Sequence, residues 1–231
     1  MTWIFLSIII GGLLSLLMTP LFIRFQKSKR MGERIRIDGP KTHSVKKGTP
    51  TMGGIIFLLS STIAFTAVSL IKYYRHDVYS QEGIFVLSVL LLCSLIGFID
   101  DYIALKSQRA LGLRGWVKLS LLAVVCIYFV LYSKYILKIG TFINIPFTDI
   151  RVELGNWYYI IVVLIIFSTT NAVNLTDGLD GLAAGICAAA CGVITILTLH
   201  FGIHDMTIIM LSMLGALTGF LFFNFNPAKV F

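Results

Sequence analysis

The stretch Ile160-Ile-Val-Val-Leu-Ile-Ile-Phe-Ser-Thr-Thr-Asn171-Ala-Val-Asn174-Leu-Thr-Asp177-Gly-Leu-Asp180-Gly181 decides the fold. Its first half is an apolar run, its second half is polar, and another apolar run follows. A polar group moved out of water without a partner costs roughly 2–7 kcal/mol. Four of them here fall at intervals of three: Asn171, Asn174, Asp177 and Asp180. In a straight α-helix each such step lags a full turn by about 60°, so the first and last would face opposite sides. The four converge only if the helix breaks between them. Gly178 and Gly181 favour a break, because glycine accepts backbone angles that other residues avoid. Thr176 or Asp177 is then the expected cap of the next helix. Carboxylates and free backbone N–H groups at a broken helix suit a metal ion and a phosphate. The other reading of these residues is a polar loop between two spans, with the acids as caps.

Of the 231 residues, 57% are hydrophobic and 13% charged. Soluble domains are roughly 25% charged. The composition therefore indicates an all-α polytopic membrane protein, whose apolar runs suit helices of about 20 residues rather than barrel strands of about ten. Seven spans are expected, near 3–23, 52–71, 83–99, 117–137, 157–175, 180–200 and 206–224. Trp116 and Trp157 fall at span ends, where amphipathic rings favour the interface. Between spans four and five, the alternation in Ile150-Arg-Val-Glu153 predicts a small external β-hairpin near 141–155. Cys93, Cys126, Cys187 and Cys191 all lie in apolar runs and read as buried small hydrophobes. The apolar N-terminal run is full length and reads as a retained first helix rather than a signal peptide.

The net charge of +8 is not spread evenly, and its distribution argues against nucleic-acid binding. Fourteen of the nineteen basic residues fall between spans one and two, between three and four, or after seven; the other five lie on the opposite side. Basic loops stay in the cytoplasm, so the N-terminus is expected outside. Asp100, Asp101, Asn171, Asn174, Asp177, Asp180 and the segment His43–Gly54 then all face the cytoplasm.

Asp100 and Asp101 close the predicted third span. A helix C-terminus carries partial negative charge, so paired acids there are unfavourable unless a cation or a proton-transfer role compensates. The plainer alternative has them stop the span and pair with Lys106 or Arg109. The segment 43–54 is glycine-rich and basic, and its N–H groups with Lys46 and Lys47 suit phosphate oxygens. It lacks the order of a Walker A loop. Together these features fit transfer of a phosphorylated group from a soluble donor to a lipid. A transporter or non-catalytic scaffold is the alternative from another class, but its helix break would lie near mid-membrane.

His43-Ser-Val-Lys46-Lys-Gly-Thr-Pro-Thr-Met-Gly-Gly54, Asp100-Asp101-Tyr and Asn171–Leu182 resemble the phospho-N-acetylmuramoyl-pentapeptide transferases of bacterial cell-wall synthesis. The Thr-Pro-Thr-Met-Gly-Gly segment separates these from the related polyprenyl-phosphate N-acetylglucosamine-1-phosphate transferases. The resemblance implies a multi-pass enzyme of the bacterial inner membrane with a cytoplasmic active site, working among membrane lipids as a homodimer. It implies transfer of phospho-MurNAc-pentapeptide from UDP-MurNAc-pentapeptide to undecaprenyl phosphate, giving lipid I and UMP, with Mg²⁺. By motif match, Lys46, Thr51, Asn171, Gly178, Leu179 and Asp180 lie around the nucleotide, and Phe231 beside the uracil. Asn174 and Asp177 lie near metal and pyrophosphate. Asp100 or Asp101 deprotonates the lipid phosphate, and an aspartyl nucleophile is the competing mechanism.

Two departures stand out. The family carries a lysine where this chain has Ala104, leaving Lys106 as the substitute cation. The family also continues past Phe231 with Met-Gly-Asp-Thr-Gly-Ser, a histidine-rich loop and three more spans. Residues 1–231 are accordingly expected to be one transferase domain, seven spans of ten, incomplete at its C-terminus and catalytically silent alone.

Overall fold

The structure, a computed structural model, describes residues 2–28, 49–76, 79–107, 112–145, 148 and 150–231. A 3-10 turn, Thr2–Phe5, leads into α1 (Leu6–Ser28), followed by α2 (Gly54–His76), α3 (Gln81–Ser107) and α4 (Gly115–Tyr135). Two short strands, β1 (Phe142–Asn144) and β2 (Arg151–Glu153), precede α5 (Asn156–Thr176), α6 (Leu182–His200) and α7 (His204–Asn224). All seven helices are long and apolar enough to cross a membrane, as the sequence predicts. The predicted hairpin is present, with β1 and β2 antiparallel. The residues fall into two compact units, Met1–Leu113 with Asp177–Phe231, and Arg114–Thr176.

In the larger unit, α7 is the core element: its buried residues include Thr207, Ile208, Ser212, Gly215, Gly219 and Phe220. It packs against α1, α2, α3 and α6. The buried face of α1 is small and polar (Ser7, Gly11, Ser15, Thr19), while Leu13, Leu17, Leu21 and Phe25 point outward. That inversion is expected where the solvent is hydrocarbon: helix association then comes from close backbone approach rather than from burying leucine. The approach is very close. A Cβ on Gly215 would sit 2.1 Å from the Ile8 carbonyl oxygen, and one on Gly11 2.6 Å from that of Ser212. At the end of this unit where α7 begins, the Lys72 ammonium pairs with Asp205, and the Ser80 hydroxyl donates to the same carboxylate oxygen at 2.9 Å. A buried pair contributes little net stability, yet loss of one partner strands the other charge. It pins α2, the start of α3 and the start of α7 together.

Two sequence expectations need correction. Helix α3 does not end at Asp100 and Asp101 but runs to Ser107. Tyr102-Ile-Ala-Leu-Lys contains no breaker, so the helix continues beyond the acids, and the terminal-dipole penalty expected for them does not apply. Helix α6 is not capped by Thr176 or Asp177. Its N-cap is Gly181, at φ 73°, with no side-chain cap. The Thr176 hydroxyl donates instead to the Val173 carbonyl inside α5. Five residues, 177–181, separate the end of α5 from the start of α6, so the cap position falls to the last of them rather than the first.

These contacts separate two glycines that look alike in sequence. Gly215→Leu must displace backbone, and overpacking of this kind costs roughly 1–3 kcal/mol or more. Gly192 meets nothing within 4 Å. In detergent, Gly215→Leu is expected to lower the melting midpoint markedly, and Gly192→Ala to leave it unchanged or slightly raised. A thermal scan read by size-exclusion chromatography checks both.

Candidate active site

The polar segments of the larger unit meet at one end of its helix bundle, the end opposite the Lys72–Asp205 pair. Helix α5 stops at Thr176, residues 177–181 turn, and α6 starts at Leu182, so the chain breaks where the spacing of Asn171, Asn174, Asp177 and Asp180 predicts. Asp177, Gly178 and Leu179 are exposed, and Asp180 is half-buried.

The break is held from below by Asn224, the last residue of α7. Its amide oxygen accepts from the Gly181 N–H at 3.1 Å, and its amide nitrogen donates to the Val230 carbonyl at 2.8 Å. One buried side chain thus ties the turn to the C-terminal loop 225–231. A second tie runs in parallel: the Ala228 N–H donates to the Asp180 carboxylate at 3.0 Å. Asp180 is therefore engaged in shaping the loop, in addition to the nucleotide role its motif implies.

The loop then reaches the segment ahead of α2. The Phe231 N–H donates to the Pro50 carbonyl at 2.8 Å, and the Phe231 carbonyl accepts from the Gly53 N–H at 2.5 Å. Gly53 cannot be larger, because a Cβ there would lie 2.7 Å from both the Phe220 ring and the Phe231 oxygen. From α1, the Gln26 amide donates to the Thr51 carbonyl at 2.8 Å. Met52 takes a positive φ of 65° at the tight corner between them. The Thr51 hydroxyl is buried and has no hydrogen-bond partner among the described residues. A polar atom left so is available to a ligand.

Asp100 and Asp101 lie inside α3, in its C-terminal third. The Asp100 carboxylate accepts from the Leu113 N–H at 2.6 Å, so the turn at 112–113 folds back over it. Gly112 permits this, since a Cβ there would lie 2.3 Å from Asp100. Asp101 is exposed, as is Lys106. Five residues along a helix is a rotation of about 140°, so Lys106 does not stand over Asp101 as the missing lysine at Ala104 would.

The smaller unit holds Asn171 and Asn174, both exposed on the last turns of α5. The Asn171 amide donates to the Phe167 carbonyl of its own helix at 2.8 Å. Asn174 accepts from the Lys118 ammonium at 3.3 Å, which brings a cation to a group whose motif implies a metal. Lys46 lies outside the described residues.

Thr51, the 177–181 turn and Phe231 are thus one hydrogen-bonded assembly. Sequence reasoning named all three, with Pro50 inside its quoted segment, and missed two residues that join them, Gln26 and Asn224. Asn224 carried a usable signal, being an amide at the end of an apolar run. Gln26 did not, because it is lost in a basic, polar stretch.

Asn224→Leu would leave the buried Gly181 N–H and Val230 carbonyl without partners, at about 1–3 kcal/mol each. The expected result is a lower melting midpoint and faster proteolysis within 225–231. Asn224→Asp keeps the acceptor for Gly181 and should lose less. Limited proteolysis of the two variants in detergent makes the comparison.

The model of glycosyl transferase family 4 matches residues 83–231, and signature 1 of the phospho-N-acetylmuramoyl-pentapeptide-transferases matches residues 46–58. The chain is 42% identical over 229 residues to the phospho-N-acetylmuramoyl-pentapeptide-transferase of Bacillus pumilus, covering 99% of this chain and 69% of the relative. It is 39% identical to that of Bacillus subtilis over the same shares. The enzyme of Bacillus thuringiensis is 42% identical over 222 residues, 96% of this chain and 67% of its own length. The signature ends inside α2 and includes Thr51 and Gly53, so it covers the segment hydrogen-bonded to Phe231. The chain belongs to the phospho-N-acetylmuramoyl-pentapeptide-transferase family.

Proposed function

We propose that this chain carries the donor and acceptor machinery for transfer of phospho-MurNAc-pentapeptide from its UDP carrier to undecaprenyl phosphate, in the inner membrane with the site facing the cytoplasm. The observation that carries the reading is the joining of the 177–181 turn, the Pro50–Gly53 segment and Phe231 by side-chain and main-chain hydrogen bonds. In this reading these segments bear on the nucleotide diphosphate, and the hydrogen bonds join them into one frame.

In the reaction, an oxygen of the lipid phosphate attacks the phosphorus that bears the sugar. The bond from that phosphorus to the UMP oxygen breaks, and UMP leaves with the electron pair. Asp100 or Asp101 takes any proton held by the lipid phosphate, raising its nucleophilicity. Leu113 N–H holds Asp100 in one orientation. The Thr51 hydroxyl donates to the donor's nucleotide part. Leu179, 62% exposed, and Phe231 offer apolar surface to a base.

The donor chemistry fits Mg²⁺. Asp177 offers an exposed carboxylate at a helix break. Among the described residues no cluster of three His, Cys, Asp or Glu groups forms a cage. That accords with a cation held by one or two carboxylates and completed by phosphate oxygens and water. Bound there, the ion would neutralise charge developing on the leaving UMP. Asn174, the other residue whose motif implies the metal, accepts from Lys118 within the smaller unit.

Two outcomes test the reading, in a chain extended to the length of its Bacillus relatives. Asp177→Asn should lower turnover by ~10² or more while leaving the melting midpoint nearly unchanged. Near-normal transfer would return Asp177 to a purely structural role. Matched concentrations of UDP-MurNAc-pentapeptide and UDP-GlcNAc should give UMP release with the former. Preference for the latter would assign the chain to the related N-acetylglucosamine-phosphate transferases.

A further inference from the structure

The hairpin between α4 and α5 plays no part in the site, and its two faces differ sharply. The register pairs Phe142 with Glu153, Ile143 with Val152 and Asn144 with Arg151. The ladder extends one rung further, with the Ile145 N–H donating to the Ile150 carbonyl at 3.0 Å. Side chains alternate along a strand, so Ile143, Ile145, Ile150 and Val152 share one face. All four are exposed, at 42%, 41%, 56% and 39%. The other face carries Phe142, Asn144, Arg151 and Glu153, with the Arg151 guanidinium over the Phe142 ring. An alternating strand ordinarily turns its β-branched face to a core. Here that face has no protein cover among the described residues.

We propose that this hairpin is a membrane-surface device: its Ile143, Ile145, Ile150, Val152 face rests in the headgroup layer at the end of α4 and α5 opposite the Lys118–Asn174 contact. Three observations favour lipid over another occupant. First, the face lies beside exposed apolar and aromatic side chains at the adjoining ends of α4 and α5. Tyr135, Ile136, Ile139 and Trp157 are all exposed at the same ends of these helices. The Lys134 ammonium lies over the rings of Tyr135 and Tyr159, the arrangement of an interfacial aromatic and basic belt. Second, the local charge complements lipid phosphate, because Lys134, Lys138 and Arg151 outnumber Asp149 and Glu153. Third, the height is right. The 21 residues of α4 span roughly 30 Å, the thickness of a hydrocarbon core, between the Lys118–Asn174 contact at one end and the hairpin at the other. Four side chains are also far fewer than the roughly 20–30 residues a side that a stable protein interface uses.

The test uses the full chain with its four cysteines replaced by alanine, in bilayers of phosphatidylethanolamine and phosphatidylglycerol. Nitroxide labels are placed singly by Ile145→Cys and Val152→Cys on the apolar face, and by Asn144→Cys on the other. Collision with a water-soluble nickel chelate and with lipid-soluble oxygen is then measured. Labels at 145 and 152 should meet the chelate several-fold less, and oxygen several-fold more, than the label at 144. Either apolar-face position suffices should the other variant misfold. Equal access at all three positions would overturn the proposal. So would protection that disappears on diluting the protein in lipid, since the cover would then be a second copy of the chain.

Discussion

The larger unit depends on α1 and α7 touching backbone to backbone. Water drives apolar surfaces together, but lipid does not distinguish a leucine on a neighbouring helix from its own tails. Cohesion must come from dispersion contacts at short range, and these need residues without bulk. Gly11, Gly12 and Ser15 on one helix, with Ser212, Gly215 and Gly219 on the other, provide that approach. Once α7 is fixed, its last residue lies at a defined depth. Asn224 can then reach both Gly181 and Val230 with one amide group.

The frame of the site is largely main chain. Phe231 spends both its peptide groups on Pro50 and Gly53, and the carbonyl of Thr51 is taken by Gln26. Among side chains named by their motifs, the Thr51 hydroxyl is buried with no partner among the described residues, and Asp177 is exposed. In the proposed reading, groups that meet charge in the transition state lie on a frame held by other residues, which limits reorganisation.

Much of this was legible in the sequence, and for a definite reason. Long apolar runs report spans directly, so all seven helices were found, and the polar interval 171–181 identified the break between α5 and α6. Less visible was anything decided by a local contest between helix and stop. Asp100-Asp101 reads as a helix terminus because charge marks the edge of hydrocarbon, yet a helix does not end where the membrane does; α3 continues to Ser107. The cap of α6 was misread similarly, because polar residues near a break look like caps until the length of the break is known. Asn224 escaped notice because its importance lies in two groups far away in sequence, and no spacing rule reports those.

The loop from Asn224 to Phe231 behaves as a ruler. Along its length Ala228 is fastened to Asp180, Lys229 to the carbonyl of Phe223, Val230 to Asn224, and Phe231 to Pro50 and Gly53. Each clamp counts residues from the one before. A substitution within the loop changes a side chain, whereas an inserted or deleted residue would shift every later clamp out of step. The loop is therefore tolerant in composition at its exposed positions, such as Phe225 and Lys229, and intolerant in length. An engineer grafting this site onto another membrane scaffold would have to carry the spacing from 224 to 231 intact, even where the side chains are exchanged.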